Sequence, residues 1–204
     1  MANEYLSLTE LKATSELYGF SFADEDARQA ISAASRGIDE YCGRRFYSDA
    51  DASSIRYYTP VEPQYLEIDD LVTCGTVATD SDGDGVFETT WTVNTNYILE
   101  PLNAAADGKP YERLRVAPYG GYFWPYRGRR SVAVTGMFGW SSVPPTVKEA
   151  TTIMATRLLK RAREAPFGVV GLGLDNVAVR ISQVDPDVAF LLDPFVRGQG
   201  ILIS

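Results

Sequence analysis

The chain has 204 residues, of which 45% are hydrophobic and 23% are charged, and its formal net charge is −8. This length and composition are typical of a globular protein with one domain, or with one domain and an insertion. The absence of histidine excludes imidazole-based catalysis and histidine-ligated metal sites. Cys42 and Cys74 are too few for a zinc cluster, so we expect buried thiols in a reducing compartment, with a disulfide between them as the alternative.

The negative charge argues against tight binding to nucleic acid or anionic lipid, because affinity for phosphate depends on its neutralisation by Lys and Arg. If the protein contacts DNA, we expect it to bind the DNA only weakly. No stretch reaches the ~18 apolar residues that a transmembrane helix needs, and the first residues do not form a signal peptide. We therefore expect no membrane association and synthesis in a cytoplasm.

Two helices are predicted at the N-terminal end. Ser7 and Glu10 have capping-box spacing ahead of a short helix that ends at Gly19. A longer helix follows, with Asp24 as its expected N-cap and Gly43 just past its end. Its apolar residues recur at helical spacing, and the many alanines leave room for another helix to approach closely. They are Ala27, Ala30, Ile31, Ala34, Ile38, Tyr41 and Cys42.

From Ile55 to Thr135 the hydrophobic period changes to two, which indicates strands. Short strands with turn residues between them favour an antiparallel sheet or a small barrel. The predicted strands are Ile55–Thr59, Tyr65–Leu71, Thr73–Thr79, Phe87–Val93, Tyr97–Leu102, Arg113–Val116 and Ser131–Thr135.

A tight corner is predicted after the last of these strands. Gly136, Gly139 and Trp140 break the alternating pattern, and we expect Trp140 to be buried there. Pro144 and Pro145 fit only the first turn of a following helix, where a missing N–H costs little.

The helix after this corner is predicted from a second apolar stripe: Val147, Ala150, Met154, Leu158 and Ala162. Thr146 and Glu149 have capping-box spacing near its start. After Pro166 the chain reads as a loop, with one possible strand at Val177–Ile181. Asp185 and Pro186 then predict the N-cap and first residue of a short helix.

The order helix, β insertion, helix predicts an α+β fold. Residues 1–54 and 136–204 are expected to form a small helical bundle with a flexible C-terminal arm, and residues 55–135 an antiparallel sheet or small-barrel insertion. We expect the two main helices to pair across the insertion, because neither apolar stripe can be left in water.

Residues 119–130 form a glycine-rich loop with five aromatic residues and three arginines. Such a loop is able to stack on bases and contact phosphate, but the same residue types also dominate protein-interface hot spots. We favour protein docking or internal packing. The interface assignment covers Tyr122, Phe123, Trp124, Tyr126 and Arg127.

Asp80, Asp82, Asp84 and Gly85 match the first half of a calcium-binding loop. The second half departs from that pattern, because Trp91 occupies the position of the bidentate glutamate and the flanking segments are strand-like. We favour an acidic hairpin tip, since aspartate and glycine are both turn formers. A calcium-dependent binding module is the alternative.

No residue pattern supports an enzyme. Asp69 and Asp70 are adjacent at a strand end and would have to act as an acid pair in a hydrolase, but carboxylates are common in such positions. Serines without a histidine or a suitably placed lysine supply no nucleophile. We predict a non-enzymatic protein without a cofactor.

Four segments in series resemble the head-to-tail connector, or adaptor, proteins of tailed bacteriophages. They are Ala33–Tyr47, Thr79–Trp91, Leu99–Leu114 and Val134–Thr151, and include the motifs AASRGIDEYCGRRFY and VTGMFGWSSVPPTVKEAT. The resemblance covers about three-quarters of the chain in the expected order. The motifs are structural rather than catalytic.

The resemblance implies a virion protein, made in the host cytoplasm, that forms a ring beneath the portal, usually twelvefold. Such a ring extends the DNA channel and provides the attachment point for the neck and tail. Implied partners are other copies of the chain, the portal protein, a stopper or tail-completion protein, and double-stranded DNA that passes through the lumen without sequence-specific binding. The neighbouring neck stopper is the nearest alternative within this class.

The resemblance also implies a docking role for the C-terminal segment, because flexible C-terminal segments of the family often engage the portal. The residues assigned to portal docking are Phe195, Val196, Arg197, Ile201, Leu202 and Ile203. An apolar end of this kind is able to add a strand to a partner sheet.

Overall fold

The computed structural model describes residues 3–17, 19, 21–126, 129–164 and 185–198. The chain divides into two compact units, one formed by Met1–Arg44 with Val143–Ser204 and the other by Arg45–Ser142. The described residues contain four α-helices and an antiparallel sheet of six strands, which confirms the predicted α+β class. None of these helices is long and apolar enough to cross a membrane.

The boundaries between the units differ from the predicted ones at 54/55 and 135/136. Residues 45–54 and 136–142 belong to the unit that contains the sheet. The last strand runs on to Phe138, and the ring of Phe46 packs against that of Trp140 with their centroids 5.2 Å apart. The sheet unit is therefore larger than the alternating hydrophobic pattern indicates.

The helical unit contains α1 (Leu8–Leu17), α2 (Asp24–Cys42), α3 (Pro145–Glu164) and α4 (Pro186–Leu192), which is followed by a 3-10 turn at Asp193–Phe195. The main helices α2 and α3 pack on each other, as the two apolar stripes predict. Their shared core is completed by α1, and its buried residues are Leu6, Leu11, Ala27, Ala30, Ile31, Ala34 and Ala155. The small side chains of α2 permit this close approach.

The capping box at α1 is confirmed by two reciprocal hydrogen bonds. The backbone N–H of Ser7 donates to the Glu10 carboxylate at 2.8 Å, and the N–H of Glu10 donates to the Ser7 hydroxyl at 3.2 Å. The cap at α4 is confirmed as well, because the Asp185 carboxylate accepts from the N–H of Asp187 at 2.8 Å. Gly43 ends α2 with a φ of +63°, as predicted.

Two predicted caps are wrong. The N-cap of α2 is Ala23 rather than Asp24, which is the first helical residue and pairs with Lys12 at 2.6 Å. A carboxylate in the first turn still interacts favourably with the helix dipole, so the acidic start has a role without capping. Thr146 lies inside α3, because that helix begins at Pro145.

The sheet has the strand order β1-β6-β2-β5-β4, and β3 pairs with β2 away from this path. Every ladder between these strands is antiparallel. The strands are β1 (Ser54–Tyr58), β2 (Tyr65–Thr79), β3 (Thr89–Trp91), β4 (Tyr97–Glu100), β5 (Tyr111–Val116) and β6 (Val132–Phe138).

The two strands predicted at Tyr65–Leu71 and Thr73–Thr79 are a single strand, β2. Its first half pairs with β5 and its second half with β6, and the register shifts near Leu71 and again between Cys74 and Thr76. A bulge adds one residue and resets the alternation of side chains. Because of this reset, the sequence pattern predicted two strands where there is one bent strand.

The corner after β6 has the close packing that its glycines predict. Gly139 has a φ of +108°, and a Cβ at this position would overlap the carbonyl oxygen of Tyr47. A Cβ on Gly136 would overlap the carbonyl oxygen of Thr73. Trp140 is buried, as expected from the sequence.

We expect Gly139→Ala to be far more destabilising than Gly83→Ala. Gly83 also has a positive φ, but a Cβ there would meet no atom within 4 Å. The control should therefore lose about 1 kcal/mol of unfolding free energy from backbone strain alone. Gly139→Ala must in addition displace the backbone at Tyr47, which should cost about 3 kcal/mol or more. Urea unfolding followed by tryptophan fluorescence measures both, and equal losses would show that the corner yields easily.

We expect the α1 cap to make stability depend on acidic pH. Hydrogen bonds from the Ser7 N–H and hydroxyl, with help from Lys148, lower the pKa of Glu10 from 4.5 to about 2. Because this folded-state pKa is depressed, the stabilisation is fully present above pH 4.5 and is lost as the pH falls through about 2. Glu10 is exposed, so Glu10→Gln should cost only about 0.5–1 kcal/mol at neutral pH.

The difference in unfolding free energy between the wild type and Glu10→Gln should shrink as the pH is lowered from 6 toward about 2. Glu16→Gln, on the same helix, serves as the control and should show no such convergence. Unfolding free energies measured across this pH range decide the point. A constant difference between the wild type and Glu10→Gln would contradict the proposed role of the cap.

Candidate protein interface

The loop between β5 and β6 presents a cluster of exposed aromatic side chains. Tyr119 is 99% exposed and Phe123 is 63% exposed, while Tyr122 and Tyr126 are each less than half exposed. Large apolar groups rarely cluster on the surface of a protein that has no partner for them. We call these four residues the aromatic surface.

Trp124 holds this loop in place from inside. It is 1% exposed, and its ring stacks on that of Trp91 with centroids 4.1 Å apart and planes at 10°. The backbone N–H of Trp124 donates to the carbonyl of Pro63 at 2.9 Å. The Ser131 hydroxyl donates to the carbonyl of Pro125 at 2.8 Å, which fixes the loop on the other side.

The assignment of Trp124 to a protein interface is therefore corrected, because its side chain belongs to the core of the sheet unit. Tyr122, Phe123 and Tyr126 keep exposed surface for a partner. Arg127 lies outside the described residues. Nothing in the loop sequence shows that Trp124 is buried and its aromatic neighbours are exposed, because its stacking partner Trp91 lies in β3, far from the loop in sequence.

Edge strand β1 carries further exposed apolar side chains. The rings of Tyr57 and Phe87 lie 5.5 Å apart, and the guanidinium carbon of Arg130 lies 3.9 Å from the centre of the Tyr57 ring. The N–H of Arg130 donates to the Thr59 hydroxyl at 2.9 Å, which ties the end of the loop to this strand. From the sequence, Tyr57 and Phe87 are not assigned to an interface. The signal was the alternation in β1, where Ile55 and Tyr57 share an exposed face.

The acidic hairpin tip brings together carboxylate oxygens of Asp80, Asp82, Asp84 and Glu88, all within 4.8 Å of one another. Asp80 accepts hydrogen bonds from the N–H groups of Gly83 at 2.6 Å and Gly85 at 2.9 Å. These bonds, the one from Gly83 above all, lower the pKa of the Asp80 carboxyl. The turn's own backbone donors thus account for an ionised aspartate at this position.

Asp69 and Asp70 do not form an acid pair. The Asp69 carboxylate accepts from Arg56 at 2.8 Å and from the Tyr58 hydroxyl at 3.1 Å. Asp70 is buried and accepts from the indole N–H of Trp140 at 2.8 Å. Each carboxylate has its own structural partners, so the hydrolase hypothesis receives no support from their geometry.

The start of the proposed portal-docking segment packs on the end of α2. Phe195, Val196 and Arg197 are all partly buried, and the N–H of Arg197 donates to the carbonyl of Cys42 at 2.8 Å. Ile201, Leu202 and Ile203 lie outside the described residues.

The disulfide alternative is wrong, because Cys42 and Cys74 are both free thiols. Burial raises the pKa of the Cys42 thiol to about 12. The Cys74 sulfur lies 3.4 Å from the Tyr97 hydroxyl, and burial raises its pKa as well. Neither thiol is poised to react as a thiolate at neutral pH.

We expect the hairpin tip to be a structural turn rather than a calcium site. Asp80→Ala removes the acceptor for two backbone N–H groups and should lower the melting temperature, whereas Asp82→Ala should change it little. Millimolar calcium should leave the melting temperature of the wild type unchanged. Calorimetric calcium titration of the wild type and Asp82→Ala gives an independent check. Binding heat that disappears in Asp82→Ala would contradict the structural interpretation and support the calcium-dependent module.

The sequence matches no protein-family model and no curated protein. Among solved structures, the fold is similar to a chain in the neck of an empty GTA particle computed with C6 symmetry. That alignment has a TM-score of 0.52 and 15% identity, and it covers 94% of this chain and 89% of the other.

Two weaker similarities are to chains in related particles. One is from the virion of a native gene transfer agent (GTA) particle, with a TM-score of 0.49, 18% identity and coverage of 94% and 89%. The other is from the neck of a native GTA particle computed with C12 symmetry, with a TM-score of 0.46, 17% identity and coverage of 96% and 94%. At these identities the first similarity shows a shared fold, which extends over nearly the whole of both chains.

Proposed function

We propose that the chain is a structural protein of a phage-like neck, an adaptor that forms a ring beneath the portal and extends the DNA channel toward the tail. The observation that carries this proposal is the fold shared with a chain of a GTA particle neck over 94% of this sequence. The match includes both units rather than one common module. The resemblance of four sequence segments to phage adaptors supports the same assignment independently.

The charge of the chain suits a passage for DNA. A net charge of −8 is multiplied by every copy in a ring, and a negative lumen repels phosphates and lets the duplex slide. A basic lumen would instead hold the duplex through counterion release. The proposed ring is twelvefold, as in the family that the sequence resembles.

The exposed groups suit protein contacts rather than catalysis. The ring of Tyr122 contacts Trp91 of the buried Trp91–Trp124 stack, with centroids 5.8 Å apart, so this part of the aromatic surface is already ordered before a partner binds. A pre-ordered aromatic surface loses little conformational entropy on docking. We assign this surface to contacts within the neck. Portal docking is assigned to Phe195, Val196, Arg197, Ile201, Leu202 and Ile203.

A neck stopper is the alternative within the same class. The two roles differ in position, because an adaptor contacts the portal whereas a stopper lies farther toward the tail. A reconstruction of purified particles, with an antibody fragment bound to the chain, separates them. Density next to the portal supports the adaptor, density farther down supports the stopper, and absence of the chain from mature particles overturns both.

We expect loss of the aromatic surface to impair incorporation into particles without unfolding the protein. Tyr119→Ser combined with Phe123→Ser removes two exposed rings, and the melting temperature should change little because neither ring is buried. The amount of chain in purified particles should fall about tenfold or more, as expected when interface anchors are removed. Leu102→Ser, at a residue that is 70% exposed outside this loop, is the control and should be incorporated normally. Equal incorporation of the two variants would show that the aromatic surface has no role in assembly.

A further inference from the structure

In the helical unit, Phe190 on α4 is a large apolar side chain that lies outside the core. On α4, Val188 and Leu192 are buried, whereas Phe190 is 79% exposed. Asp187 and Pro194 are exposed at helical spacing from Phe190, so they share its outward face. This short helix therefore presents a phenylalanine next to a carboxylate.

The exposure of Phe190 is not the result of a loose helix. Asp185 caps the start of α4 and also pairs with Arg157 of α3. The Tyr41 hydroxyl donates to the Asp193 carboxylate at 2.6 Å just beyond the end of α4. Both ends are thus fixed to the main helices, and Phe190 stands on a rigid support.

The same unit contains an open groove between α2 and α3, with a volume of about 1040 Å³. Its apolar lining consists of Phe22, Ala30, Ala33, Leu158, Leu159 and Ala162. The alanines leave the groove wide, and the leucines are only partly buried. An aromatic ring would find apolar contacts on both sides of such a groove.

The outward face of α4 and the α2–α3 groove differ in charge. Lys160 and Arg163 border the groove, and the last turn of α3 also carries Arg161. Asp26 is the single acidic residue of the lining, so the groove carries a net positive charge. On α4, Asp187 lies one turn from Phe190, and its last turn has no basic residue. An acidic aromatic knob and a basic apolar groove are complementary.

We propose that Phe190 of one copy inserts into the α2–α3 groove of the next copy, with Asp187 facing Arg163. Phe190 does not occupy the groove of its own chain, because it is exposed while the opposite face of α4 is packed. A knob and a groove on different surfaces of one molecule make a head-to-tail contact, which closes into a ring when the rotation permits. This inference rests on the proposed function, since it supplies the contact between copies that a neck ring needs.

Cysteine cross-linking tests the contact directly. Pro186→Cys, one turn before Phe190 on α4 and exposed, combined with Ala162→Cys places one thiol on each surface and keeps the Phe190 ring, and mild oxidation should give a ladder of covalent oligomers. Each single variant should give no covalent ladder, and neither should the wild type, whose Cys42 is buried and whose Cys74 is half-buried. Leu17→Cys with Ala162→Cys is the matched control, because Leu17 is 85% exposed on the same unit. That pair should give no ladder.

A charge exchange gives a second readout. Asp187→Arg and Arg163→Asp should each reduce the ladder of the cysteine pair about fivefold, and the two together should restore it. Reduction by both single changes without restoration would mean that the two residues do not face each other. That result would overturn the assigned pairing.

Purified particles and concentrated purified chain should both be tested, so that two failures can be told apart. If the chain is present in particles but the cysteine pair gives no ladder, the groove inference is overturned and the neck function stands. If the chain is absent from particles, the neck function is overturned, and a ladder in the purified chain would still support self-association.

Ala162→Trp tests whether residues of the same chain fill the α2–α3 groove. A large fall in the melting temperature of the purified chain would mean that its own residues fill the groove, which overturns the inference.

Discussion

The sheet unit depends on one buried hydrogen bond, from the indole N–H of Trp140 to the carboxylate of Asp70. The N–H of Gly139 also donates to the backbone carbonyl of Asp70 at 2.7 Å, and the N–H of Trp140 donates to the carbonyl of Tyr47. These contacts join the bulged middle of β2, the end of β6 and the segment that precedes β1. A buried carboxylate that loses its donors is costly, so this polar contact fixes one arrangement of the corner.

The same corner shows what the sequence was able to predict. Glycines and a tryptophan after an alternating strand indicated a packed turn with Trp140 inside, which is correct. The polar partner was not predictable, because Asp70 is adjacent to Asp69 and both looked like turn carboxylates. Only the fold of β2 places one of them against an indole and the other against Arg56. Local patterns encode which residues are buried far better than they encode distant partners.

Long-range pairing also explains the other errors. Helical stripes repeat within a segment, so α2 and α3 and their pairing followed from the spacing of alanines and leucines. The bulges in β2 arise from two different neighbours, β5 and β6, and no local signal reveals them. Likewise, Trp124 and Phe123 are adjacent in sequence, but Trp124 is buried against Trp91 and Phe123 is exposed. The candidate interface was located from composition, but its exposed members required the structure.

A fold shared at 15% identity does not by itself determine function. Function depends on the surfaces, where this chain and the GTA neck chain differ in sequence. The two contact surfaces proposed above share one kind of construction. In the sheet unit, the exposed Phe123 directly precedes Trp124, which stacks on Trp91 in the core. In the helical unit, the buried Val188 and Leu192 support the exposed Phe190. Each exposed ring is carried by a segment that buried apolar side chains hold in place, so the backbone entropy of ordering that segment is lost when the chain folds. In the proposed ring, such anchors favour ordered addition of one copy at a time over unspecific clustering, because they fit only a matching recess.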